Sequence, residues 1–209
     1  LVLKNNKGTE DNRVRKLDYS IQITKLFYER FIKNDDITLF SPNHVPGLYE
    51  AFGMPEFDDM YKKYEKDKSI PKQTIGAQEL FQALLKERAE TGRIYIMNLD
   101  HCNTHSSFKD KVYMSNLCQE ITLPTTPVQH IDDKEGEIAL CILSAINLGL
   151  LTDMNELEEL CDLSVRALDE IIDYQEYPVE AAKISAQSRR SLGIGYIGLA
   201  HYLAKNQVK

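Results

Sequence analysis

The 209 residues carry a formal net charge of −7, with 43% hydrophobic and 27% charged side chains, a balance that supports a sizeable core and excludes a disordered chain. An excess of carboxylates does not neutralise a phosphate backbone, which argues against nucleic acid as a partner. No apolar run approaches the roughly 20 residues of a membrane span, and "LVLKNNKGTE" lacks the apolar centre of a signal peptide.

Cys102, Cys118, Cys141 and Cys161 are too sparse for a disulfide scaffold and form no CxxC pair, so reduced thiols in a cytoplasmic protein are expected. Leu1 stands where an initiator Met would, and a helical pattern runs into the final "HYLAKNQVK". Both features lead to the expectation that the chain is one part of something larger, a single partial domain over 1–209.

In chain order, the polar turn "NKGTEDNR" precedes a predicted helix from about 13 to 33, on the spacing of Leu17, Ile21, Leu26, Phe27 and Phe31. "DDITLFSP" predicts a short strand over 37–40 ending at Pro42. Pro46 and Gly47 open a short helix, "PEFDDMYKKYEKD" predicts another over 55–67, and "SIPKQ" is a linker. A strong amphipathic helix is predicted over 75–92, with Leu80, Phe81, Leu84 and Leu85 on its apolar face and Gly92 at its C-terminal cap. "RIYIMNL" follows as a strand, and 100–110 as a polar loop. "IALCILSAINLG" (138–149) predicts a long strand with both faces buried. Asp153 or Asn155 caps a helix to about 174, Pro178 begins another, and "LGIGYIGLAHYLAK" ends in a bend and a final helix. Strands separated by amphipathic helices indicate the α/β class, with about four strands, too few to close a barrel.

Several motifs carry possible chemistry. "GIGYIG" (193–198) fits the GxGxxG pattern, but the phosphate-cradling fingerprint needs a strand immediately before it and an acidic residue about 20 positions later. A helical stretch precedes it and the sequence stops first, so its glycines are expected to permit close packing. His101, Cys102 and His105 in "HCNTH" are three possible ligands without a second cluster, a weak signal for zinc; no metal site is expected. "NELEELCDL" and "KISAQSRR" read as solvated helix faces, and Cys161 as a small buried hydrophobe.

"SNLCQEITLP" (115–124) is different. In extended chain Asn116, Cys118 and Glu120 would share one face, with Leu117 and Gln119 on the other. A thiol between an amide and a carboxylate makes a plausible reaction centre, although a half-buried strand with a polar face accounts for the same residues. Cys141 in "IALCILSA" is a second thiol, and two thiols on neighbouring strands suit two-electron redox chemistry where their geometry permits a disulfide. The other enzymatic reading is a hydrolase with Cys118 as nucleophile and His101 or His105 as base, which no oxyanion motif supports.

Taken together, "DITLFSP", "VPGLYEAF", "TGRIYI", "DHCNTH", "SNLCQEI", "GEIALCILSAINLG" and "RRSLGIGYIGLA" resemble, in order and across essentially the whole chain, the large catalytic subunit of class I ribonucleotide reductase. The most specific part is N-L-C-x-E followed by the E-I-A-L-C strand. The resemblance implies a ten-stranded α/β barrel with a finger loop threading its centre. It implies that Cys118, at the finger tip, becomes a thiyl radical that abstracts hydrogen from C3′ of the substrate. Glu120 takes the 3′-hydroxyl proton, Asn116 hydrogen-bonds the ribose hydroxyls with Leu117 beside it, and Cys141 is one of the two reducing thiols.

The resemblance also implies what is elsewhere. The second reducing cysteine, the nucleotide-binding cone, the diphosphate-binding turn, the radical-transfer tyrosines and the C-terminal cysteine pair have no counterpart in this sequence. The expected partners are therefore complementary large-subunit segments, a small subunit whose metal supplies the radical, thioredoxin or glutaredoxin, and a ribonucleoside diphosphate. No cofactor is expected in this chain, and nucleotide effectors bind elsewhere in the full subunit. A remnant that only packs against other subunits is the non-catalytic alternative.

Overall fold

The computed structural model describes residues 18–208, which fall into two compact units meeting at Pro124 and Thr125. The predicted turn at 6–13 and the start of the predicted first helix lie outside the described residues.

The first unit begins with β1 (Tyr19–Ile23), in place of the helix expected there. Tyr19, Ile21 and Ile23 alternate with Ser20 and Gln22, a period of two that the four-residue step from Leu17 to Ile21 hides. Only after Thr24, in extended conformation, does α1 (Lys25–Lys33) start; Asn34 ends it in the left-handed region at φ 56°, donating to the carbonyls of Arg30 and Phe31. β2 (Asp36–Phe40) follows, then a 3-10 turn, α2 (Leu48–Ala51) and α3 (Phe57–Lys66). β3 (Lys72–Gly76) pairs antiparallel with β2, Asp36 opposite Gly76 and Phe40 opposite Lys72. The expected linker "SIPKQ" thus runs into a strand, with Gln73 exposed and half-buried Lys72 donating to the carbonyls of Tyr64, Glu65 and Asp67.

Next, α4 (Ala77–Thr91) runs into β4 (Ile94–Asn98), which lies parallel to β1 with Tyr19 opposite Ile94 and Ile23 opposite Asn98. The polar loop expected at 100–110 opens instead with α5 (Leu99–Thr104), anchored by fully buried Leu99. Leu26, Val45, Leu48, Ala51, Phe57 and Tyr61 form the main core, and Phe81 of α4 meets Phe31 of α1 with ring centroids 5.0 Å apart.

Gly92 caps α4 as expected, at φ 67° with its N–H 2.8 Å from the Arg88 carbonyl and open space where a Cβ would stand. Gly92→Ala therefore carries only the left-handed backbone penalty. It is expected to lower stability by about 1 kcal/mol in urea titration; an unchanged midpoint would show that the cap is not held in this conformation.

In the second unit, Asp133 accepts hydrogen bonds from the amides of Gln129, Glu135 and Gly136 at 2.8, 2.8 and 3.1 Å, closing the turn-rich connection. Those bonds hold its carboxyl below the usual carboxylate range. β5 (Ile142–Asn147) pairs parallel with β6 (Leu192–Ile197), Ile142 opposite Leu192, and the crossover consists of α6 (Glu156–Tyr174) and α7 (Glu180–Arg189). The expected long strand is six residues, and Leu143 is 61% exposed, so one of its faces is uncovered within the described residues. Cys161, expected to be buried, is exposed on α6. Ile172 and Leu168 of α6 and Ala181, Ala182 and Ala186 of α7 are the buried apolar residues of these two helices.

The predicted terminal bend is β6 followed by α8 (Leu199–Lys205). Gly193 pairs with Leu143, and a Cβ there would lie 2.5 Å from Leu143 Cδ2; Gly198, at φ 72°, starts α8. The glycines of "GIGYIG" thus permit close packing, across a strand pair rather than between helices.

The class is α/β. Six strands, against about four expected, form three two-stranded sheets, and no closed barrel is present among the described residues. No helix of the described residues is long and apolar enough to cross a membrane.

Candidate active site

Residues 111–124 leave α5 without regular structure, held by a few specific bonds. Asn103 of α5 clamps fully buried Val112, accepting from its N–H at 2.8 Å and donating to its carbonyl at 3.1 Å. Lys111 lies over the Tyr113 ring at 4.7 Å, and Gln22 of β1 donates to the Tyr113 carbonyl at 2.6 Å.

Beyond Tyr113 the chain reverses. The Asn116 N–H meets the Ile121 carbonyl at 3.3 Å, the Ile121 N–H meets Asn116 Oδ1 at 3.0 Å, and the Gln119 N–H meets the Asn116 carbonyl at 3.2 Å. Gln119 takes a left-handed φ of 67°, and its side-chain amide donates to Ser20 Oγ on β1. The expected strand, with Asn116, Cys118 and Glu120 alternating on one face, is therefore corrected: the segment is a tight turn. An Asn that binds backbone two to five residues on reverses the chain where extended pairing would have continued it.

The turn places Leu117 and Cys118 at its tip, both exposed, with Glu120 exposed on the returning limb. Asn116 has a structural task that its sequence reading did not give it. Its Oδ1 closes the turn, while no hydrogen bond engages its Nδ2 among the described residues. An open cleft of about 550 Å³ lies beside the turn, lined by Tyr19, Ser20 and Gln22 of β1, Tyr95 and Met97 of β4, and Met114, Asn116 and Leu117. Its size suits a small-molecule ligand, with apolar walls and a few polar groups.

The other cysteines differ. Cys102 packs on Met97, Leu99 and Val112, and burial with the nearby Asp100 charge pushes its thiol up, away from the reactive thiolate. Cys141 stands at the entrance to β5, half-buried, where a Cβ on Gly193 would come within 3.0 Å of its Sγ. It precedes the strand instead of sitting mid-strand, because the ladder begins at Ile142. The rings of His101 and His105 are 5.8 Å apart, with His105 Nδ1 near the His101 carbonyl and the Thr104 hydroxyl. No group of three or more His, Cys, Asp or Glu among the described residues is arranged to hold a metal ion.

A turn carrying thiol and carboxylate beside a cleft is a shape that several families could use, and comparison with known proteins decides among them. The model of the family described as "Ribonucleotide reductase, barrel domain" matches residues 1–209. The chain belongs to the ribonucleotide reductase family.

It is 60% identical to the ribonucleoside-diphosphate reductase subunit alpha of Buchnera aphidicola subsp. Schizaphis graminum and 61% identical to that of Haemophilus influenzae, over 214 aligned residues and 100% of this chain in each case. Identity to the subunit alpha of Enterobacteria phage T4 is 45% over 99% of the chain. The chain spans 28% of the length of each of these curated relatives, so it corresponds to a partial segment of a ribonucleotide reductase large subunit.

Proposed function

We propose that this chain is the finger-bearing segment of a catalytic large subunit that reduces ribonucleoside diphosphates to deoxyribonucleoside diphosphates, working only with the rest of that subunit and a small subunit. The observation that supports this most strongly is the family match along the whole chain, with Cys118 at the tip of a turn beside a cleft.

In this reading the oxidising equivalent comes from a metal-containing small subunit and reaches Cys118 as a thiyl radical. Cys118 takes the hydrogen from C3′: an S–H bond forms as the C3′–H bond breaks, and the unpaired electron passes to the sugar. Glu120 accepts the 3′-hydroxyl proton, which eases loss of the 2′-hydroxyl as water. Asn116 donates to the ribose hydroxyls through its uncommitted Nδ2, and Leu117 flanks the sugar. Cys141 and a second thiol from a complementary segment give up two electrons and two protons and end as a disulfide. One proton leaves with the water and the other ends on C2′. Glu120 then returns its proton to the 3′ oxygen, Cys118 returns its hydrogen to C3′ and regains the radical, and thioredoxin or glutaredoxin reduces the disulfide. A reducing cytoplasm is the compartment such donors require. Enclosure by the complete barrel would shield the radical from water and side reactions.

Reconstitution tests the proposal. Turnover of a ribonucleoside diphosphate is expected when the chain is combined with the complementary large-subunit segments and the small subunit, and none from the chain alone. Assembly with all segments but no turnover would overturn it in favour of a packing remnant.

A further inference from the structure

Two neighbouring side chains on one face of β1, Ser20 and Gln22, grip the Cys118 segment at two points. Gln22 holds the incoming limb through the Tyr113 carbonyl at 2.6 Å, and Ser20 holds the turn itself through the side chain of Gln119. Side chains two apart on a strand project to the same side, so the two grips form one short cradle. β1 is in turn fixed by its full parallel ladder with β4.

Gln119 is also one of four non-glycine residues at positive φ among those described. That conformation is unfavourable for a side chain with a Cβ, so something has to hold it there. Among the described residues its side chain makes one hydrogen bond, to Ser20, which adds to the bond of its own N–H to the Asn116 carbonyl. Gln119 stands directly between Cys118 and Glu120, so whatever fixes its φ also sets the directions in which thiol and carboxylate leave the turn.

We infer that Gln119, tethered to Ser20, is a positioning residue that holds the Cys118–Glu120 turn against β1. The inference rests on the reading of Cys118 and Glu120 given under Proposed function, but its structural half stands without turnover. The tether touches no reacting atom; it acts by restricting where the turn can lie. Reactive groups held to within about half an ångström perform far better than the same groups held loosely.

A double-mutant cycle in the intact chain tests it, read by hydrogen exchange of the 115–122 amides. Gln119→Ala and Ser20→Ala are each expected to speed exchange about threefold to tenfold, the size of one lost hydrogen bond. The double variant is expected to be no faster than either single one, because both remove the same bond. Ser20→Thr, which keeps the hydroxyl, should restore slow exchange, and Gln119→Gly should exchange fast although glycine accepts the backbone conformation. Additive effects, wild-type exchange in Gln119→Ala, or slow exchange in Gln119→Gly would each overturn the tether.

In the reconstituted enzyme, Gln119→Ala should lower kcat about tenfold to a hundredfold with KM within about twofold, as expected of misplaced chemistry rather than lost binding. A rise in KM with unchanged kcat would overturn the positioning role. An inactive wild-type reconstitution bears on the proposed function alone, since exchange reads the tether separately.

Discussion

Cys118→Ser is expected to abolish measurable ribonucleoside diphosphate reduction in the reassembled enzyme, a loss on the order of 10³-fold or more, while leaving the chain's unfolding midpoint unchanged. Serine has nearly the shape of cysteine, and Cys118 is exposed at the turn tip, so its side chain contributes little packing. What changes is the bond: an O–H is much stronger than an S–H, and the oxygen analogue of the radical is far harder to generate. The turn should survive, since it is closed by Asn116 and Gln119 and not by the thiol. Activity above about a thousandth of wild type, measured with all segments present, would remove Cys118 from the chemistry. A large fall in the midpoint would instead show that the thiol is structural. In a Cys161→Ser background, which removes the other exposed thiol, alkylating Cys118 while leaving the half-buried Cys102 and Cys141 intact should reproduce the loss.

How much of this was legible in the residues varies by element, for physical reasons. Helices with a wide apolar stripe and an αL terminator, such as α4 with Gly92, were readable because period and cap agree. β1 was not, because its five residues adjoin a helix whose spacing absorbs Ile21, and parallel pairing with β4 across 75 residues leaves no local mark. Leu143 reads as a core residue and is exposed on β5, as it would be on a barrel strand whose neighbours belong to other segments. The site divides in the same way. Cys118, Glu120 and Asn116 stood out through chemistry at adjacent positions, but their alternation suggested a strand. The turn depends on Asn116 Oδ1 and on a Gln119 bond reaching 99 residues back to Ser20, which no local pattern announces. Gln119 was a spacer in the sequence and is a structural participant in the fold.

The first unit has one polar network on which its stability should depend strongly. Arg30 of α1 and Glu65 of α3 form a forked ion pair, with side chains each 17% exposed and Nη1 to Oε1 at 2.6 Å. Thr38 Oγ1 of β2 donates to the same carboxylate at 2.7 Å, and Arg30 also donates to the Asp36 carbonyl at 2.7 Å. Tyr61 completes the layer, its hydroxyl accepting from the Thr38 N–H and donating to the Thr38 carbonyl. Glu65→Ala would leave the guanidinium and the threonine hydroxyl without their acceptor in a half-buried site, at an expected cost of about 2–4 kcal/mol in urea titration. Glu65→Gln, which keeps the shape and an acceptor oxygen, should cost less. Burial alone would push the Glu65 carboxyl up, but the bonds from Arg30 and Thr38 and the charges of Arg30 and Lys72 outweigh it and hold the carboxyl below its ordinary 4.5. A depressed folded-state value means that the contribution is fully present above the unfolded-state value and is lost as pH falls through the folded one. The stability gap between wild type and Glu65→Gln should therefore be widest near neutral pH and narrow as pH falls below the ordinary value of 4.5. A gap constant across that range, or a loss under about 0.5 kcal/mol in Glu65→Ala, would show the pair to be a solvated surface contact, whose usual worth is that small.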